Sequence, residues 1–236
     1  KYISKKTGLI PYDEGGYKAF NDGGVECEVG EFLYSLVRIV KPDRILETGT
    51  YKGISSSYFG LGLKHNKKGH LDTIEFDPQH YQDSSSIWAK LKITKYITQL
   101  QIRSETYVPS APYEIVFLDT EPDVRFKELV QFYKDVVSGG FIIIHDLHPH
   151  LGLSGIAAHG MDNWPFGDFR LFFGDMLLDH ELQTFNFPSP RGLTVFQKFY
   201  YIHRNNMFVA GCRDNNVPNF CSVLHPHHPK SIHCRF

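Results

Sequence analysis

Apolar positions along the first two thirds of the chain follow two periods in turn. Between Glu26 and Val40 they fall at Val29, Phe32, Leu33, Leu36, Val37 and Val40, the spacing of one helix face, and Lys41-Pro42-Asp43 stops it. A short apolar run over Arg44–Glu47 then predicts a strand, and a helix follows over Ser55–Lys64. The polar turn His65–Gly69 leads to a second strand, His70–Glu75, and Pro78 opens a helix to about Lys92. A third strand is predicted over Ile97–Ile102 and a fourth over Tyr113–Leu118. Phe126, Leu129, Val130, Phe132, Tyr133 and Val136 predict a helix over Val124–Val137, and Gly139-Gly140 turns the chain into a fifth strand, Phe141–Ile144.

Strands alternating with helices predict an α/β fold with a doubly wound, mostly parallel sheet, whose ligand sites lie along the carboxyl edge. The segment His148–Pro165 breaks the rhythm, rich in Gly and His, and reads as a long loop. Phe166–Leu178 reads as a helix with an aromatic face. Leu182–Phe187 and Leu193–Lys198 read as two strands joined by Pro188-Ser189-Pro190-Arg191-Gly192, a closing hairpin. The organisation expected is an arm over residues 1–24, one domain over 25–198 and an extension over 199–236. The arm, with Gly15-Gly16 and Gly23-Gly24, reads equally well as a lid and as a surface tail.

Composition narrows the class. Hydrophobic residues make up 42% and charged residues 22% of 236, ordinary for a soluble globular chain. The formal net charge of −1 gives no basic field, so nucleic acid is not expected as a partner. No apolar run approaches the ~20 residues of a membrane span, and no signal-peptide pattern opens the chain. Four scattered cysteines do not make a disulfide framework, so the expected setting is the cytoplasm. The start at Lys1 reads as a processed or excised form. Aromatic residues, at 14%, are numerous enough to line a substrate cleft as well as fill a core.

Candidate chemistry concentrates at strand ends. Arg44–Ser57 reads strand, tight turn, helix: Glu47 ends the strand, Gly49 and Gly53 follow, and a Ser triplet caps the helix. Glycines there let backbone approach a ligand, and free N–H groups at the helix start favour an electronegative one. The Gly-x-x-x-Gly spacing differs from the Gly-x-Gly-x-x-Gly of dinucleotide sites. A second acid, Glu75, lies 22 positions after Gly53, the distance at which a βαβ unit brings a carboxylate to a ribose.

Together these residues resemble the class I S-adenosylmethionine-dependent methyltransferases, in the small-molecule O-methyltransferase branch. That branch includes catechol O-methyltransferase-like and macrocin O-methyltransferase or cephalosporin-hydroxylase-like proteins. The resemblance covers about residues 24–198 and implies a Rossmann-like sheet of seven strands, the last two being the hairpin. It implies a cofactor site of Glu47, Gly49, Tyr51, Gly53, Ser55, Glu75, Phe76, Ser104 and Asp119. Gly49 and Gly53 would face the methionine part, Glu75 the ribose, and Ser104 with Glu105 the adenine; Phe76 would pack on its face.

The resemblance also implies a divalent cation (Mg, Mn or Fe) held by Asp119, His145 and Asp146 at the ends of strands four and five. Such an ion would orient vicinal substrate oxygens and lower a hydroxyl pKa. Two departures stand out. Leu147 occupies the place of an Asn ligand, and His145 stands where the hydroxylase-like branch has an acid, a ligand suited to Mn, Fe, Ni or Zn. Pro122 occupies the place of the catechol branch's Lys base, so His145, His148 or Asp119 is expected to do the catalytic work. Cys212, Cys221, His225, His227, His228, His233 and Cys234 lack paired zinc-ligand spacing and read as a solvated tail.

The function expected is methyl transfer to a hydroxyl of a small molecule or sugar, in a monomer or homodimer. Two alternatives remain open: metal-dependent tailoring chemistry on the same fold, and a non-catalytic nucleotide-binding module presenting residues 148–179 to a partner.

Overall fold

The computed structural model describes residues 2–147, 182–187 and 189–199. The expected loop over 148–165, the helix over 166–178, His148 and the Cys/His residues of the tail lie outside them. In chain order the elements are α1 (Tyr2–Thr7), β1 (Tyr12–Asp13), β2 (Lys18–Ala19), α2 (Cys27–Val40), β3 (Arg44–Thr48), α3 (Ile54–Asn66), β4 (His70–Ile74), α4 (Pro78–Leu91), β5 (Ile97–Leu100), β6 (Tyr113–Leu118), α5 (Pro122–Phe132), β7 (Val136–His145), β8 (Leu182–Phe187) and β9 (Leu193–Lys198).

The last seven strands form one sheet in the order β5-β4-β3-β6-β7-β9-β8. The first five of these run parallel, and β9 is antiparallel to both β7 and β8. This is the expected Rossmann-like methyltransferase sheet with its closing hairpin. From β3 the chain steps outward to β4 and β5, then returns to β6 on the other side. The switch point therefore lies between β3 and β6, where open sheets of this kind bind ligands.

Both faces of the sheet are covered, which is why its strands read as continuous apolar runs. Ile45, Ile115, Phe117 and Ile143 point to one face and pack with Val29, Leu33 and Val37 of α2 and Phe59, Leu61 and Leu63 of α3. Leu46, Val116, Leu118, Ile142 and Ile144 point to the other and pack with Leu129 and Phe132 of α5. The alternation is the period of two that a pleated strand imposes. Among the described residues, no helix is long and apolar enough to cross a membrane.

Two elements differ from expectation. The helix over 124–137 ends at Phe132, a single 3₁₀ turn follows, and Val136 already belongs to β7. Val136 pairs with Tyr113 but Phe141 pairs with Ile115, so β7 bulges between them at Gly139-Gly140. Apolar residues on both sides of a bulge mimic a helical period, which is how the helix was read too long. The amino-terminal segment is more structured than a loose arm: Ile3 of α1 is fully buried in the core, and β1 pairs with β2.

Candidate functional site

A cleft of about 740 Å³ opens at the carboxyl ends of β3, β4 and β6. Gly49, Tyr51 and Ser55 line it from the β3–α3 turn, Glu75 and Phe76 from the end of β4, Ser104 from the turn after β5, and Asp119 from the end of β6. Asn21, Gly23, Gly24 and Val25 line it from the amino-terminal segment. Seven of the residues expected to hold a cofactor thus meet in one cavity. Glu47 and Gly53 are not among its lining residues.

The floor of the cleft is tightly built. The Gly49 and Thr50 N–H groups donate to the Ile74 carbonyl at 3.0 and 3.2 Å, tying the β3 turn to β4. Gly49 has φ +81°, and a Cβ there would stand 2.3 Å from the Asp119 carbonyl oxygen, so only glycine lets the two strand ends close. Gly53 has another duty: its Cβ would meet Ser84 at 2.7 Å, and its carbonyl accepts from the Trp88 indole at 3.2 Å. It sets the approach of α4 to α3.

Glu75 is positioned by backbone. The Tyr51 N–H donates to its Oε2 at 2.7 Å and the Asp77 N–H to its Oε1 at 2.9 Å. Each oxygen keeps a further lone pair for a ligand hydroxyl. Next to it Phe76 is 57% exposed, unusual for a Phe, with the Arg103 guanidinium 4.9 Å from its ring centre. Phe76, Ile102 and Ser104 form one end of the cleft. At the other, Ile54 and Ser55 open α3, whose first N–H groups have no intrahelical partner.

Glu47 turns inward instead. It is fully buried, its Oε2 accepting from Thr73 at 2.6 Å and from the Ser56 hydroxyl. Burial pushes its carboxyl up to about 7 against these hydrogen bonds. An acid whose folded pKa exceeds its unfolded one binds extra protons in the fold, so stability falls as pH rises from about 4.5 to about 7. The loss expected is about 3 kcal/mol. Glu47→Gln should flatten this slope in thermal unfolding followed from pH 5 to pH 7. An unchanged slope would assign it to another group.

The ends of β6 and β7 carry an ion cluster. His145 is fully buried, its Nδ1 2.9 Å from Asp119 Oδ1 and its Nε2 2.6 Å from Glu26 Oε2. A carboxylate at each nitrogen favours the imidazolium form. Burial alone would lower its pKa; Asp146, Asp119 and Glu26 outweigh that and raise it to about 10. Asp146 faces Arg191, whose Nε lies 2.8 Å from Oδ1 and whose Nη2 donates to Oδ2 at 2.9 Å. Burial opposes its ionisation, but His145, Arg125 and Arg191 hold the carboxyl down at about 2. Arg125 from the first turn of α5 stands 3.4 Å from Asp146 and 3.5 Å from Asp119, and donates to the His145 carbonyl at 2.6 Å.

This arrangement bears on two expectations. Each ring nitrogen of His145 faces a carboxylate, and His145 is not among the residues lining the cleft. The donor atoms of Asp119, His145 and Asp146 lie within 4.8 Å of one another, as a metal site requires. Guanidinium groups of Arg125 and Arg191 already face Asp146. Leu147 is 3% exposed and packs in the core. Asp146 Oδ1 is buried and, although 2.8 Å from Arg191 Nε, makes no hydrogen bond of good geometry among the described residues.

Glu26, Arg125 and Arg191 were not foreseen. One signal existed for Arg125: a cation in the first turn of a helix opposes the macrodipole, so it needs a specific anionic or carbonyl partner. Glu26 and Arg191 reach His145 and Asp146 across 119 and 45 residues, and no local pattern marks them.

Residues 46–147 match the family model described as a methyltransferase domain. A putative O-methyltransferase of Mycobacterium sp. (strain KMS) is 27% identical over 127 residues, 52% of this chain and 57% of that protein. The chain thus spans little more than half the length of the relatives it matches. The O-methyltransferase TomG from Streptomyces achromogenes, solved with S-adenosylmethionine, superposes with a TM-score of 0.62 at 18% identity, covering 84% of this chain and 95% of that one. The O-methyltransferase from Bacillus cereus, solved with S-adenosylhomocysteine, gives 0.61 at 17% identity, covering 84% and 88%. At this identity the solved structures establish the fold. The domain match and the relatives, named as putative or probable O-methyltransferases, are what the chain is similar to.

Proposed function

We propose that the cleft binds S-adenosylmethionine and that the protein transfers its methyl group to a hydroxyl of a small molecule or sugar. The observation that carries this reading is Glu75. A carboxylate held by two backbone N–H groups at the switch point, beside a helix N-terminus, is built to receive a ribose. The cofactor-bound states of TomG and the Bacillus cereus protein support it.

In this reading Glu75 accepts both ribose hydroxyls. Phe76 and Ile102, with Ser104, would hold the adenine, and the N–H groups of Ile54 and Ser55 would receive the methionine carboxylate. The sulfonium is already strongly electrophilic, so the protein contributes alignment and a proton acceptor. A substrate oxygen attacks the methyl carbon, the carbon–sulfur bond breaks to leave S-adenosylhomocysteine, and the hydroxyl proton passes to Asp119. His145 and Arg125 hold Asp119 in place for this.

Transfer of labelled methyl from S-adenosylmethionine to a panel of phenols, catechols and sugars tests the reading. Asp119→Asn should lower kcat about 10²-fold and leave the cofactor KM unchanged. A folded protein that binds cofactor but methylates none of the panel would favour the non-catalytic module instead.

A further inference from the structure

We infer that the guanidinium groups of Arg125 and Arg191 take up the carboxylates to which the resemblance assigns a divalent cation, and that this site works without a metal ion. The inference rests on the proposed methyl transfer for its chemical meaning, but its geometry is independent of it.

Three carboxylates, Glu26, Asp119 and Asp146, face three cationic groups, His145, Arg125 and Arg191. Every carboxylate has at least one cationic group within 3.5 Å. The cluster forms one wall of the cleft: Glu26 and His145 are wholly buried, whereas Asp119, Arg125, Asp146 and Arg191 line the cavity. Both guanidiniums are also anchored to backbone, Arg125 to the carbonyls of Thr120 and His145 and Arg191 to that of Gly24. A divalent ion entering here would have to expel a guanidinium from partners that satisfy it. The cost of leaving either cation buried and unpaired opposes that exchange.

Arg125 and Arg191 are positioning residues on this account. They hold the ends of β6 and β7 together, and Arg191 ties both to the amino-terminal segment through Gly24 and Glu26. One consequence concerns the acceptor. A chelated ion selects substrates with two adjacent oxygens, whereas Asp119 needs only one hydroxyl. The acceptor therefore needs only a single hydroxyl group, with no requirement for a second, adjacent oxygen.

Titration of the purified protein with Mn²⁺, read by the electron-paramagnetic-resonance signal of free ion, tests this without cofactor or turnover. The wild type should leave the free signal undiminished at about 1 mM ion. Binding tighter than that, lost in Asp119→Asn, overturns the inference; binding retained in Asp119→Asn lies elsewhere, and the inference stands. Folded Arg191→Met, which removes the nearer guanidinium from Asp146 and leaves only Arg125 at 3.4 Å, should bind Mn²⁺ at least about tenfold more tightly than wild type. If it folds and gains nothing, the role given to Arg191 is wrong; if it does not fold, the wild-type and Asp119→Asn titrations decide.

Discussion

Gly49→Ala should destabilise the fold by about 3 kcal/mol or more and abolish cofactor binding at accessible concentrations. Two effects combine. The residue sits at φ +81°, where any L side chain is strained. Its Cβ would also stand 2.3 Å from the Asp119 carbonyl oxygen and 2.6 Å from the carbonyl carbon. That neighbour is backbone at the end of a central strand, hydrogen-bonded back to Thr48 at 3.0 Å, so it cannot rotate away. Relief requires β3 and β6 to part at the switch point, the place where the cleft is built. Denaturant unfolding measures the stability term. A fully stable variant that binds cofactor like wild type would show that the strand ends tolerate separation.

Asp146→Ala should cost about 3–5 kcal/mol, because it strands the Arg191 guanidinium and leaves Arg125 with less counter-charge. The loss is expected to be mostly the penalty of an unpaired buried cation. Asp146→Ala combined with Arg191→Met should therefore be more stable than Asp146→Ala alone, and the two changes should couple strongly in a double-mutant cycle. Additive losses in the cycle would mean that the pair is screened and contributes little.

The cleft was legible in the sequence because apolar runs buried on both faces of a sheet end abruptly, and polar residues at those ends have nowhere to go but the carboxyl edge. Glu75 and Asp119 were placed at that edge this way; Phe76 and Ser104 came from the resemblance. Glu47 was misjudged by the same rule. In β3 it shares a face with Ile45, toward α3, so its carboxylate meets Ser56 and Thr73 rather than the cleft. The period of two contained that answer; reading the acid as a strand end overrode it. Gly53 looked like half of a ligand-binding pair, yet its positive φ and bare Cα serve helix packing.

The ion cluster was only half visible. Asp119, His145 and Asp146 follow apolar strands and could be placed side by side. Their partners come from a helix start, a hairpin turn and the residue before α2, segments in which a charged side chain ordinarily faces water. Composition and spacing carry no record of such long-range pairing. The expectation of a metal came from the resemblance, in which the anions were visible and the cations beside them were not.

Calorimetric titration of the folded protein with S-adenosylmethionine and S-adenosylhomocysteine addresses the central claim most directly. The account predicts one site with a Kd in the micromolar range, about −8 kcal/mol, that is present without added metal. Glu75→Ala should weaken it by about 1–3 kcal/mol, since the ribose hydroxyls lose a charged acceptor. No heat of binding from a protein shown to be folded, or binding indifferent to Glu75→Ala, would contradict it.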